Sequence, residues 1–185
     1  VVEKSRDMGV TWVSVAFAWW LWTFHSGANV SFGSRKESLV DKIGDPDSIF
    51  EKFRQLMRYM PKEFRPVGWN EKEHAAYTKI RNPENGSTIK GEAGKNSGRG
   101  GRSTLYFIDE AAFIEYPDLV DKALSENTDC KIYVSTPNGT GNPFYRKRFS
   151  GNFPVFTFHW HDDPRKDDAW YQKKKNSLEP DTLAQ

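Results

Sequence analysis

Three short stretches of this chain hold residues that can do chemistry together. The first is Lys4-Ser5-Arg6-Asp7-Met8-Gly9-Val10-Thr11. It comes close to the phosphate-wrapping pattern G-x-x-x-x-G-K-[ST], in which backbone N–H groups cradle phosphates, a lysine reaches them and a hydroxyl holds Mg²⁺. Gly9 and Thr11 fit the pattern; Val10 stands where the lysine belongs and Lys4 where the first glycine belongs. A lysine stem can reach across a tight loop, so Lys4 is the candidate for the missing ammonium. Thr11 falls at the start of a helix, where its hydroxyl and the positive end of the helix dipole both suit a metal-bound phosphate. Read alone, the stretch is equally a glycine turn that caps a helix.

The second stretch is LYFIDE, four apolar residues delivering Asp109 and Glu110 to the end of a buried strand. Neighbours on a strand point to opposite faces, but a bend at its end can turn both toward one ligand. Asp109 can orient water on Mg²⁺, and Glu110 can accept a proton from an attacking water. By itself the pattern is an ordinary strand followed by a helix-capping acid; the phosphate-loop candidate upstream gives it meaning. The third stretch ends another apolar strand with Ser135-Thr136-Pro137. Small hydroxyls there can sense a phosphate through water and pass the change to the glycine-containing NGTGNPF that follows. The plain alternative is a strand-ending turn.

Arg99 and Arg102 lie in GKNSGRGGR, a basic, glycine-rich stretch expected to stay mobile until something binds it. Two readings stay open: an arginine that neutralises charge on a transferring phosphoryl group, or a loop that touches nucleic-acid phosphates. Arg6 is a candidate sensor within its own subunit.

The elements that must position these residues follow from periodicity. Val1-Val2 reads as the end of a strand, Glu3–Val10 as a loop, and Thr11–Phe24 as a helix whose tryptophans belong to the core. ANVSFGSRKE reads as a strand with a polar exit. DPDSIFEKFRQLMRYMP is a surface helix capped by Asp47, with Ile49, Phe50, Phe53, Leu56, Met57 and Met60 at helical spacing and Pro61 closing it. AYTKIRNPENGSTIKGEA predicts a hairpin around Asn-Gly. DLVDKALSEN and DDAWYQKKKNSL read as helices, FPVFTFHWHDDP as a strand. Near-continuous apolar strands alternating with helices predict an α/β protein: a mostly parallel sheet with helices on both faces and the hairpin at an edge. In such sheets ligands bind at the carboxyl ends of strands, and all three chemical stretches fall at strand ends.

The remaining features constrain function by what they exclude. The chain has 185 residues, 28% charged and 37% hydrophobic, which suits a globular domain. A net charge of +2 leaves any basic surface local. Cys130 is the only cysteine, so an intramolecular disulfide cannot form. The apolar run Trp12–Phe24 is shorter than the roughly 18 residues of a membrane span, and Glu3 and Asp7 spoil a signal-peptide leader; no membrane partner is expected. His159, His161, Asp162 and Asp163 resemble metal ligands, but alternate with Phe156, Phe158 and Trp160 as a half-buried strand does. Lys173–Lys175 reads as a solvated helix face.

EKSRDMGVTW, LYFIDEAAF and YVSTPNGTGNPFY, in that order, resemble the ATPase motor domain of tailed-phage terminase large subunits, the DNA-packaging motors. The likeness covers nearly the whole chain, and it is the triple combination that is specific. It implies a P-loop NTPase fold of the additional-strand (ASCE) type. It implies ATP and Mg²⁺ as ligands, held by Lys4, Ser5, Arg6, Asp7, Met8, Gly9, Val10 and Thr11, with Thr11 and Asp109 at the metal. Glu110 is then the catalytic base, Arg99 or Arg102 the arginine finger, and Ser135-Thr136-Pro137 the coupling motif. The resemblance further implies double-stranded DNA, a portal protein and a terminase small subunit as partners, a homo-oligomeric ring when assembled, and action in the host cytoplasm while docked on a procapsid. Because the chain starts on a strand without an initiator Met, residues 1–185 are expected to be an N-terminal ATPase-domain fragment, monomeric and weakly active alone. An adenine-recognition motif is expected before Val1 and a nuclease domain after Gln185. A helicase-like or other ASCE ATPase acting on nucleic acid is the alternative; a non-enzymatic module with a degenerate loop is a third, against which the retained Glu110 argues.

Overall fold

The strand Leu105–Asp109 (β6) divides the molecule in two. Leu105 and Phe107 face one hydrophobic core, Tyr106 and Ile108 the other. Side chains of a strand alternate between faces, so an apolar residue at every position requires cover on both sides. In this computed structural model, which describes residues 1–178, that cover comes from helices. The expected domain boundary at Gln185 lies outside the described residues.

The first core is built by Val10–Phe24 (α1), Glu37–Val40 (α2) and Ile49–Tyr59 (α3), with Val15, Ala18, Trp22, Phe50, Phe53 and Met57 packed on Val30 and Phe32 of the strand Asn29–Ser34 (β2). The second is built by Pro117–Asn127 (α5) and Pro143–Phe149 (α6), through Val120, Leu124 and Phe144. The helices start as their sequences dictate: α5 and α6 carry proline in the first turn, and the Asn142 side chain accepts from Tyr145 N–H. The cap of α3 is Ser48, which accepts from Glu51 N–H, and not the predicted Asp47. Both residue types cap well, and the choice falls to Ser48 because it is also hydrogen-bonded to Lys42.

The sheet has eight strands in the order β3-β4-β5-β2-β6-β7-β1-β8, where β1 is Val2–Lys4, β3 Ala75–Ala76, β4 Lys79–Arg81, β5 Thr88–Ala93, β7 Lys131–Ser135 and β8 Phe156–Phe158. In the order β5-β2-β6-β7-β1-β8 every pairing is parallel; β3 and β4 are antiparallel and form one edge, and the predicted Asn-Gly hairpin is β4 with β5, one strand in from that edge. The β4–β5 connection is longer than the two-residue Asn-Gly turn of the simplest hairpin. Asn82 closes it: its Oδ1 accepts from Glu84 and Asn85 N–H, while its Nδ2 donates to Trp22 O. Glu71–His74 (α4) leads into β3, and Asp168–Lys175 (α7) lies beyond β8.

The structure departs from three expectations. The tryptophans of α1 are not all core: Trp22 is buried, but Trp12 and Trp20 are 40% and 43% exposed, because only one side of α1 meets the sheet. The glycine-rich stretch is tied down without a ligand. Glu92 accepts from the N–H groups of Gly98 and Gly100 and from the Tyr106 hydroxyl, and Asn127 donates to Gly98 O. Third, β8 ends at Phe158, and Trp160–Asp162 is a single 3₁₀ turn capped by His159, so His159 and His161 do not share a strand face. Among the described residues no cluster of His, Cys, Asp and Glu could hold a metal by itself, and no helix is long and apolar enough to cross a membrane.

Candidate active site

β7 lies between β1 and β6, so the carboxyl ends of these three strands stand side by side. Each ends in one of the stretches singled out from sequence. The chain leaves β1 at Lys4, turns through Ser5–Met8 with Asp7 at φ 59, and enters α1 at Gly9, φ 69. Gly9 is required there, since the left-handed region favours a residue without Cβ. Met8 and Val10 do not face a ligand: both are buried against Val134 of β7. The residue that replaces the usual lysine thus anchors the loop to the sheet.

Thr11 Oγ1 donates to Asp109 Oδ2 at 3.2 Å, joining the start of α1 to the end of β6. Burial pushes the Asp109 carboxyl up from its ordinary value; Lys4 opposes this, Glu110 adds to it, and the Thr11 bond opposes it. A hydroxyl and a carboxylate are hard oxygen donors, and a buried carboxylate with a raised pKa gains from a cation nearby. The pair therefore fits a magnesium–phosphate group.

Glu110 has φ 56, so β6 breaks sharply after Asp109. A non-glycine residue seldom adopts this conformation, which has a cost on the order of 1 kcal/mol. The break supplies the bend that lets Glu110 reach the same edge as Asp109. Ser135 holds the following turn, its Oγ accepting from Ala112 N–H at 3.1 Å. Glu110 lines a polar cavity of about 310 Å³ together with Lys4, Arg6, Asp7, Arg35 and Thr136. Lys4 and Glu110 therefore meet where Val10 does not, and Thr136 joins them from β7.

Besides Met8 and Val10, four sequence-based candidates lie elsewhere. Ser5 turns toward β8: its N–H donates to Phe158 O and its Oγ accepts from Trp160 N–H. Pro137 is exposed and lines an adjoining cleft of about 650 Å³ that shares Lys4 with the polar cavity. Arg99 and Arg102 are exposed on the segment that enters β6, ahead of Leu105, and neither lines the polar cavity. The Arg102 carbonyl accepts from Asn29 at the start of β2. Arg102 is thus held at the amino end of β2 and β6, while Arg99 follows Gly98, which Glu92 ties to β5.

The structure also brings in residues that sequence reasoning missed. Arg35 follows β2, and its Nε stands 3.4 Å from Glu110 Oε2. The polar exit of ANVSFGSRKE was a signal for it, since polar residues at parallel strand ends tend to face the ligand edge. Lys166 buries its ammonium against the outside of the Arg6–Met8 loop. Nothing in DDPRKDD marked it.

A parallel sheet with an extra strand between the loop strand and the acidic strand, and a loop, hydroxyl and two acids at their ends, defines an α/β P-loop protein of the additional-strand class. The chain belongs to the terminase large-subunit family: the family model for the T4-like-virus-type N-terminal region matches residues 1–173. No curated protein sequence matches it. Among solved structures, the large terminase ATPase domain of Thermus phage P74-26 aligns with a TM-score of 0.69 at 17% identity, covering 100% of this chain and 85% of that one. The large terminase of another phage, a thermophilic bacteriophage, aligns in its complex with ADP with a TM-score of 0.68 at 12% identity, and in its complex with ATP-gamma-S with 0.63 at 15%. This chain spans less than half of the second phage's protein, 45% and 44% in the two complexes, while 98% and 96% of this chain is covered. At these identities the likeness establishes the shared fold.

Proposed function

We propose that this chain is the ATPase motor of a viral DNA-packaging terminase, coupling ATP hydrolysis to translocation of double-stranded DNA into a procapsid. The observation that carries the reading is the convergence of Lys4, the Thr11–Asp109 pair and Glu110 at the carboxyl ends of β1 and β6, the two strands that flank β7. Lys4 meets the phosphates across the loop, in place of a lysine at position 10. The backbone of residues 5–11 wraps them, and the start of α1 adds its dipole. Thr11 and Asp109 would hold Mg²⁺, which screens the phosphate charge when bound. Glu110 takes the proton of the attacking water; the φ of 56 presents its carboxylate to the cavity. Arg35 holds that carboxylate, so Glu110 reaches the water by moving from, or sharing, the 3.4 Å contact.

Thr136 and Ser135 serve as the coupling motif, with Pro137 as the exit of their strand. Ser135 already joins β7 to the turn after Glu110. Arg99 and Arg102 are exposed and do not line their own polar cavity, which suits them to a neighbour's ATP in a ring. The partners are then double-stranded DNA, a portal protein, a small subunit and further copies of the chain, in the host cytoplasm on a procapsid. Residues 1–185 act as the N-terminal ATPase domain of that assembly, monomeric and weakly active alone.

Glu110→Gln tests the assignment. In the intact protein it should keep Mg-ATP binding within about threefold and lower hydrolysis by about 10² or more, because an amide cannot take the proton. Hydrolysis at the wild-type rate would remove Glu110 as the base.

A further inference from the structure

Lys166 lies 160 residues from the phosphate loop in sequence, yet its ammonium closes on it. Nζ donates to Asp7 O at 2.8 Å and to Arg6 O at 3.1 Å, and approaches Met8 Sδ at 3.3 Å. The side chain is 5% exposed. A buried ammonium is costly unless its donors are satisfied, and here they are satisfied chiefly by loop carbonyls. Asp163 Oδ2 stands 3.6 Å away, and the Trp170 ring centroid 5.2 Å away. Hydrogen bonds from Arg165 hold the Asp163 carboxyl far below the usual carboxylate range, so its charge persists. The turn is fixed by Lys166 N–H to Asp163 O and by Arg165 N–H to Asp163 Oδ1.

The two carbonyls belong to consecutive peptides, Arg6–Asp7 and Asp7–Met8. In a trans peptide the N–H points opposite to the C=O. With Lys166 on the carbonyl side, the N–H groups of Asp7 and Met8 are directed to the other side of the loop. A positive charge at the carbonyl ends also polarises both peptides, strengthening their N–H ends as donors. Asp7 needs such support, because its φ of 59 is a conformation a non-glycine residue seldom keeps unaided.

We propose that Lys166 is a positioning residue of the nucleotide site, holding the Arg6–Met8 peptides from behind in the orientation that presents their N–H groups to a nucleoside polyphosphate. It rests on the reading of Lys4–Thr11 as a phosphate loop. It adds that the segment after β8 completes that loop. Lys166 touches no phosphate; it acts through the backbone.

Calorimetric titration of the intact protein with Mg-ATPγS tests this on wild type, Lys166→Met, Lys166→Arg and, as control, Lys173→Met at an exposed position of α7. Lys166→Met should weaken binding about tenfold or more, with binding stoichiometry kept near wild type. Lys166→Arg should restore the affinity to within about threefold, and Lys173→Met should leave it unchanged. A fall in stoichiometry at unchanged Kd would mean that Lys166 only supports the fold, and unchanged Kd at full stoichiometry would remove any role; either overturns the proposal. If Lys166→Met gives no folded protein, hydrogen exchange on the wild type decides. Mg-ATPγS should slow exchange in residues 163–167 as well as in 5–9, and slowing confined to 5–9 would overturn it. Absence of binding in the wild type would instead refute the phosphate-loop reading itself, so the two failures are distinguishable.

Discussion

Lys4 and Val10 exchange the roles that their positions would have in the commoner phosphate loop. Val10 packs beside Met8 and Val134, so Val10→Ala should lower stability by about 2 kcal/mol while leaving ATP turnover per folded molecule nearly unchanged. Lys4→Ala removes the ammonium that lines the cavity and should lower turnover by about 10² or more. Equal effects of the two on turnover would end the displaced-lysine reading. Asp109 gives a second test with a defined sign. Its folded-state pKa is raised, chiefly by burial, so the folded protein takes up this proton at higher pH than the unfolded chain. The ionised carboxyl therefore opposes folding at neutral pH, and the opposition fades as pH falls through the raised pKa. Asp109→Asn, which keeps an oxygen for Thr11, should raise the melting temperature of the nucleotide-free protein at pH 7. The same substitution should abolish the Mg²⁺ dependence of nucleotide affinity. A lower melting temperature in Asp109→Asn would contradict the burial argument.

At the scale of elements, α3 is held by charge as well as by its apolar face. Arg54 makes two bonds to Asp41, at 2.8 and 3.0 Å, and one to Glu51, all buried. Asp41 also accepts from Thr78 N–H, which ties the edge hairpin to the turn after α2. Removing the guanidinium leaves the buried Asp41 without its cationic partner and Glu51 with Arg58 alone, and Arg54→Met should cost about 3–5 kcal/mol. Arg58, half-exposed between Glu51 and Glu71, should cost under about 1 kcal/mol when replaced by alanine. Urea unfolding of the two variants measures the difference; comparable losses would mean that burial does not decide the strength of this network. On the other side of the sheet, Glu92 performs a related service for the glycine-rich stretch. It turns a segment whose composition reads as loose into an ordered platform carrying Arg99 and Arg102.

For the whole molecule, Arg99 and Arg102 are exposed and outside the polar cavity that Glu110 lines, which makes assembly the natural setting for them. Mixing tests it. Glu110→Gln subunits offer arginines but lack the base; subunits with Arg99 and Arg102 both replaced by alanine keep the base but offer no finger. In the packaging assembly the mixture should hydrolyse ATP several-fold faster than either parent alone. No rescue, together with a shallower salt dependence of DNA binding in the arginine-free variant, would favour contact with DNA phosphates instead. No change in either assay would leave the two arginines as plain surface.

The α/β class, the parallel strands, the Asn-Gly hairpin and the three strand-end motifs were legible in the sequence because each is a local pattern. Apolar runs set the strands, helical spacing set α3, and glycine with threonine marked the entry to α1. Local pattern alone does not give the order of the strands, which only the additional-strand resemblance implied, and it is the order that places β7 between β1 and β6 and so brings Lys4, Thr136 and Glu110 to one cavity. The same holds for Arg35 against Glu110, for Glu92 beneath the glycine-rich stretch and for Lys166 behind the loop. Each is a pairing between segments far apart in the chain, with no periodicity to announce it. Sequence fixes which groups a strand end carries, because that depends on neighbours along the backbone; packing of the sheet and its helices decides which strand ends, and which distant cations, come within a few ångströms of one another.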